Sequence, residues 1–205
     1  DVLGLLYDQI GDHAAAASAY SRSLSLNPER SLVHNNLAVA FRAQGKPQEA
    51  TEHWERAIDL DPEYPDAHYN LGTEFFLRGD VARALPLLER AISLQPDSLL
   101  AYNTAGKAAS AVGDYHKAVE YWEIAVELDP ADENLYYNLA LTLQRDLKEL
   151  DRALPYWQRF LQLNPTDLDA LRWIARAYSA LGRPAEEERW LSRIGELHPD
   201  QAKTQ

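Results

Sequence analysis

The stretch GDYHKAVEYWEIAVELDP, residues 113–130, decides the fold, because its Gly-Asp opening and Leu-Asp-Pro close recur along the chain at fixed spacing. Proline is the clearest ruler: Pro28, Pro62, Pro96, Pro130, Pro165 and Pro199 are separated by 34, 34, 34, 35 and 34 residues. Such a period marks an array of structural units that bury their apolar faces by stacking on one another.

Working outward from that ruler, units begin at Ser31, Pro65, Leu99, Glu133 and Leu168. The spacing predicts one array over 1–201: a truncated repeat 1–30, then 31–64, 65–98, 99–132, 133–167 with a one-residue insertion, and 168–201, followed by a tail 202–205. Within a unit, apolar residues recur at helical spacing in two runs of about fourteen residues. In the third unit the runs are marked by Leu71, Glu74-Phe75 and Arg78, then by Ala84, Leu87-Leu88, Ala91 and Ile92. Gly45, Gly79, Gly113 and Gly182 stand between the runs, where a left-handed residue ends one helix. Asp80 and Asp114 are placed to cap the second helix, and Pro47 and Pro184 fall in its first turn. Antiparallel helix pairs follow.

Composition narrows the work such an array performs. Hydrophobic residues make up 46% and charged residues 25% of the 205 residues, a folded composition. A net charge of −12 argues against nucleic acid, whose phosphates call for a basic stripe. There is no cysteine, so disulfides and thiolate metal sites are excluded while the compartment stays open. No apolar run is long enough for direct membrane insertion. The chain opens at Asp1, without methionine and inside a repeat, and is read as a fragment of a longer protein.

The repeated pattern resembles the tetratricopeptide repeat over essentially the whole chain. Leu3-Gly4, Leu71-Gly72, Ala105-Gly106, Leu37-Ala38 and Leu139-Ala140 match the family's small residue where helices approach. Ala16, Ala50, Ala84, Ala118 and Ala153 match its early second-helix alanine, each followed four residues later by Tyr20, Trp54, Leu88, Trp122 or Trp157. The resemblance implies an all-α, right-handed superhelical solenoid whose first helices line a concave, partner-binding face. The fifth unit departs: it lacks the inter-helix glycine, its extra residue near Arg145 to Leu150 predicts a longer or less tight turn, and Phe160 stands where other units carry alanine. Pro86 and Pro155 inside second helices predict a mild bend.

No phosphate loop, zinc-protease helix or nucleophile elbow is present, and the chain is expected to be non-catalytic and without cofactor. His34 and His68 are one repeat apart, but equivalent residues of stacked helices sit about 10 Å apart, too far to share a metal at about 2 Å. A packed histidine at a helix seam is the expectation, with His13, His53, His116 and His198 solvated. On the face that the resemblance assigns to partners stand Asn36, Asn70 and Asn138, an asparagine ladder suited to peptide main chain. The same amides would equally satisfy hydrogen bonds between helices. Tyr69, Phe76, Tyr137, Asn103 and Lys107 join that face, and Arg172 and Arg176, one turn apart beside Trp173, suit a partner carboxylate or local pairing with Asp169. The cations of the family's chaperone-tail clamp are absent.

These features lead to a protein or peptide segment as partner, with a scaffold role in a bacterial complex suggested by composition. Two other roles stand beside it: the substrate-docking region of a larger enzyme such as a glycosyltransferase, and a self-associating scaffold.

Overall fold

The computed structural model describes residues 1–198, so Pro199 and the expected tail 202–205 lie outside the described residues. Among the described residues the chain forms twelve α-helices and no strand. They are α1 (Val2–Gln9), α2 (His13–Leu26), α3 (Ser31–Ala43), α4 (Pro47–Leu60), α5 (Pro65–Leu77) and α6 (Val81–Leu94). After them come α7 (Leu99–Ala111), α8 (Tyr115–Leu128), α9 (Glu133–Leu141), α10 (Leu150–Leu163), α11 (Leu168–Ala180) and α12 (Pro184–Leu197). The described residues divide into two compact units, one of Asp1–Ala108 and one from Ala109 onward.

Turn chemistry explains the pairing. Gly79 has φ +79°, and the Asp80 N–H then reaches back to the Phe75 carbonyl at 2.9 Å, so the left-handed residue closes α5. Asp80 next accepts from the Arg83 N–H at 3.3 Å, and Asp114 does the same for Lys117 at 3.2 Å, filling the orphan donors of α6 and α8. The fifth unit solves the problem differently from the expected longer turn. Its extra residue is absorbed inside the first helix as a π-helical turn, Thr142–Asp146, with the Leu147 N–H on the Thr142 carbonyl at 3.1 Å. Lys148, at φ +62°, takes the left-handed place that glycine holds elsewhere. The helices containing Pro86 and Pro155 run on through them.

The core interlocks small with large. Ala16, Ala50, Ala84, Ala118 and Ala153 are fully buried, as are Tyr20, Trp54, Leu88, Trp122 and Trp157 to within 3%. At Gly72 an added Cβ would lie 3.0 Å from Leu88 Cγ and 3.2 Å from the Ala84 carbonyl oxygen, so a larger residue there crowds α6. Phe160, which stands in place of alanine, is buried against the rings of Tyr137 and Trp157 at 5.4 and 6.2 Å.

The ruler prolines have a second consequence. Pro28, Pro62 and Pro130 each follow a helix end and leave a carbonyl that the next helix satisfies. His34 Nε2 bonds the Pro28 carbonyl and His68 Nε2 the Pro62 carbonyl, both at 3.0 Å, and the Tyr136 hydroxyl reaches the Pro130 carbonyl at 3.4 Å. A carbonyl only accepts, so both histidines carry their proton on Nε2 when neutral, and Nδ1 becomes an acceptor. His34 Nδ1 meets His53 Nδ1 at 2.9 Å, whereas His68 Nδ1 is buried without a partner among the described residues. His53 is therefore not the solvated residue expected: it is half-buried, stacked on Phe41 at 5.6 Å, and burial followed by the nearby His34 lowers its pKa. His13, also expected solvated, bonds Asp8 at 3.2 Å.

Two outcomes follow from this seam. His68→Tyr, which copies the solution at Tyr136, keeps a donor for the Pro62 carbonyl and removes the orphan nitrogen, raising stability by about 1 kcal/mol in urea titration; a loss would refute the assignment. An unfolded histidine titrates near about 6.5, and His53 is held lower in the fold, so the unfolded chain takes up the proton first. Its contribution is intact above that pH, erodes as pH falls below it and levels off under the folded value. Melting followed across this window should show a shallower acid loss for His53→Gln than for the unaltered chain.

Candidate functional site

In the first unit the expected ladder is wired internally. Asn35, buried at 5% exposure, donates from Nδ2 to Asn36 Oδ1 at 3.3 Å, and its own Oδ1 accepts from Asn70 Nδ2 at 2.9 Å. The Tyr64 hydroxyl, pushed up to about 12 chiefly by burial, stays protonated. These bonds hold Asn36 and Asn70, both half-buried, in fixed orientation. Among the described residues, the Asn36 amide NH2 and the Asn70 carbonyl are the groups left over.

Around them, Tyr69 and Phe76 are half-buried on α5, and Tyr69 borders a hollow of about 160 Å³ with Pro65, Gln95 and Leu100. Asn103 on α7 is half-buried, its Oδ1 shielded from solvent without a hydrogen-bond partner among the described residues, and Lys107 is exposed. Asn36 and Asn70 are thus linked through Asn35, while no contact joins them to Tyr69, Phe76, Asn103 or Lys107 in the hydrogen bonds described.

A polar cluster that sequence reading missed lies on the same helices. Glu74, treated above as part of the apolar run, is buried at 5% exposure and held by Arg42 Nε at 3.1 Å and Arg78 Nε at 2.7 Å. Arg78 extends further to Gln48 Oε1 and Thr51 Oγ1, each at 3.2 Å. A carboxylate on a core-facing place with arginine four residues on was the signal available. The pairing locks α3, α4 and α5 together beneath the ladder.

In the second unit, Tyr137 packs edge-on to Trp157 at 5.2 Å, and burial raises its pKa. Asn138 beside it is half-buried. The π-helical turn brings Gln144 inward, where Oε1 accepts from Trp157 Nε1 at 2.7 Å and Nε2 donates to the Trp173 carbonyl at 2.8 Å. Trp157 and Trp173 stack 6.5 Å apart at 6°, and the Arg176 guanidinium lies over the Trp173 ring at 5.4 Å. Arg172 approaches Asp169 only to 3.9 Å. Arg172 and Arg176 border a hollow of about 380 Å³ between α11 and α12. The described residues contain no cluster of three or more metal-capable side chains, and none of their helices is long and apolar enough to cross a membrane.

Comparison with known proteins agrees with this geometry. Two sequence profiles, each described as tetratricopeptide repeat, match residues 2–53, 36–98 and 103–149, and residues 144–204. Among solved structures, YrrB, described as a TPR protein with an unusual peptide-binding site, aligns with a TM-score of 0.80 and 20% identity over 90% of this chain and 94% of its own. PilF of Pseudomonas aeruginosa gives 0.73 and 22% over 96% and 89%, and MamA gives 0.73 and 26% over 80% and 95%. A search of curated protein sequences finds no match.

The buried carboxylate yields a graded outcome. Arg78→Met removes the closer partner and costs about 3 kcal/mol, whereas Arg42→Met, whose side chain is 46% exposed, costs under about 1 kcal/mol. Chemical denaturation of both variants checks the order, and equal losses would show that Glu74 does not depend on Arg78 more than on Arg42.

Proposed function

We propose that this chain, which belongs to the tetratricopeptide repeat family, is a non-catalytic interaction scaffold that holds an extended segment of another protein against its first helices. The observation that carries this reading is the wiring of Asn35, Asn36 and Asn70. With its Oδ1 occupied, Asn36 offers a donor, and with its Nδ2 engaged, Asn70 offers an acceptor. A peptide main chain presents the complementary carbonyl and N–H regardless of its side chains. Because the amides are already oriented by bonds within the protein, little further ordering is needed when a segment docks.

Further support comes from the surroundings. Tyr69 and Phe76, half-buried on the helix that carries Asn70, supply aromatic surface, the residue types that most often anchor a partner. The net charge of −12 disfavours nucleic acid and favours neutral or basic segments at this part of the chain. The peptide-binding description attached to YrrB agrees with this reading.

The test is a selection of displayed unstructured peptides on the immobilised full chain, followed by calorimetric titration of those enriched. Asn36→Ala/Asn70→Ala should weaken them at least about tenfold, with helix content unchanged by circular dichroism. Retention of full affinity by the folded double variant would remove the ladder from the binding site.

A further inference from the structure

We propose that the hollow between α11 and α12 is a second recognition site, which takes a segment carrying a single carboxylate beside an apolar side chain. The proposal rests on the reading of the chain as a partner-binding protein but uses none of the asparagines of the first unit. Its α11 wall is formed by Arg172, Ala175 and Arg176, its α12 wall by Glu187, Leu191 and Ile194. Ala175 and Ile194 are buried at 4% and 5% exposure and make an apolar floor, and Leu191, at 39%, an apolar rim.

Charge selects the occupant. In a chain of net charge −12, two guanidiniums stand one helical turn apart on one wall, Arg172 paired with Asp169 at 3.9 Å. Among the described residues Arg176 meets no carboxylate, and its guanidinium lies instead against the Trp173 ring, which leaves its N–H edge for a ligand. Glu187 faces the arginines across the hollow and repels a second negative charge, so a segment with one acid fits where an acidic run does not.

The platform beneath Arg176 is built by the irregular fifth repeat. The π-helical turn carries Gln144 into the core, Gln144 ties the Trp157 ring to the Trp173 backbone, and the two indoles stack. Held this way, Trp173 fixes the plane on which the guanidinium rests. The one-residue insertion thus acquires a role: Gln144 is a positioning residue for the arginine, and Arg176 touches the ligand.

The experiment titrates the full chain with an acetylated, amidated nonapeptide holding one glutamate between two leucines in a glycine-serine frame, against its glutamine counterpart. Saturable binding of the glutamate peptide, at least about tenfold tighter than the glutamine peptide, is expected. Arg176→Gln should abolish that preference, Arg176→Lys should restore part of it, and Glu187→Gln should admit a peptide with two adjacent glutamates. Gln144→Leu should weaken the glutamate peptide while leaving glutamine-peptide binding unchanged. No binding, or equal binding of the two peptides, would overturn the proposal. So would tighter binding by Asp200→Asn, which would mean that the chain's own C-terminal residues fill the hollow, or a dimer lost on Arg176→Gln, which would make it a contact between copies. Peptides selected through Asn36 and Asn70 should bind Arg176→Gln normally, so failure here and failure of the first-unit ladder remain distinguishable.

Discussion

Close approach between paired helices is the constraint on which the rest depends. An alanine early in the second helix of the first five pairs and a glycine or alanine on the preceding first helix leave room for one large side chain, and that side chain fills the space. At Gly72 the clearance is spent, since even a methyl group would press on Leu88 and the Ala84 backbone. With the spacing set this way, the first helices of each compact unit present side chains at a regular interval. Polar groups can then be placed with a precision that a looser pair would not hold.

Most of the scaffold was legible in the sequence because it rests on local rules. Proline spacing located the helix pairs, and Gly79 and Gly113 marked turns because the left-handed backbone there favours glycine. Ala118 and Trp122 could be read as core because both fall on one helical stripe. The fifth repeat was harder. A missing glycine and an added residue suggested a longer loop, but a helix can absorb an insertion by widening one turn, and which solution prevails depends on what the displaced side chain finds. Here Gln144 finds Trp157 and the Trp173 carbonyl.

The polar half of the structure was less legible, for a physical reason: hydrogen bonds between repeats join residues about one period apart whose partners are fixed only by stacking. Glu74 looked like a place on an apolar stripe and is instead a buried carboxylate between two arginines. His53 looked exposed and is held against His34, whose own orientation is dictated by the Pro28 carbonyl. Asn36 and Asn70 were identified from their shared position, but Asn35, which joins them and decides what each has left to offer, was seen only as a neighbour. Regularity marks where the polar residues stand, and three-dimensional pairing decides their chemistry.

The measurement that tests the central claim most directly is an NMR titration of the isotope-labelled full chain with a peptide obtained by selection, following side-chain amide resonances. The account predicts that the NH2 signals of Asn36 and Asn70 move in a saturable manner, with backbone changes concentrated in α3 and α5. Saturable binding that instead perturbs α2, α4 and α6 and leaves those two amides unmoved would contradict it.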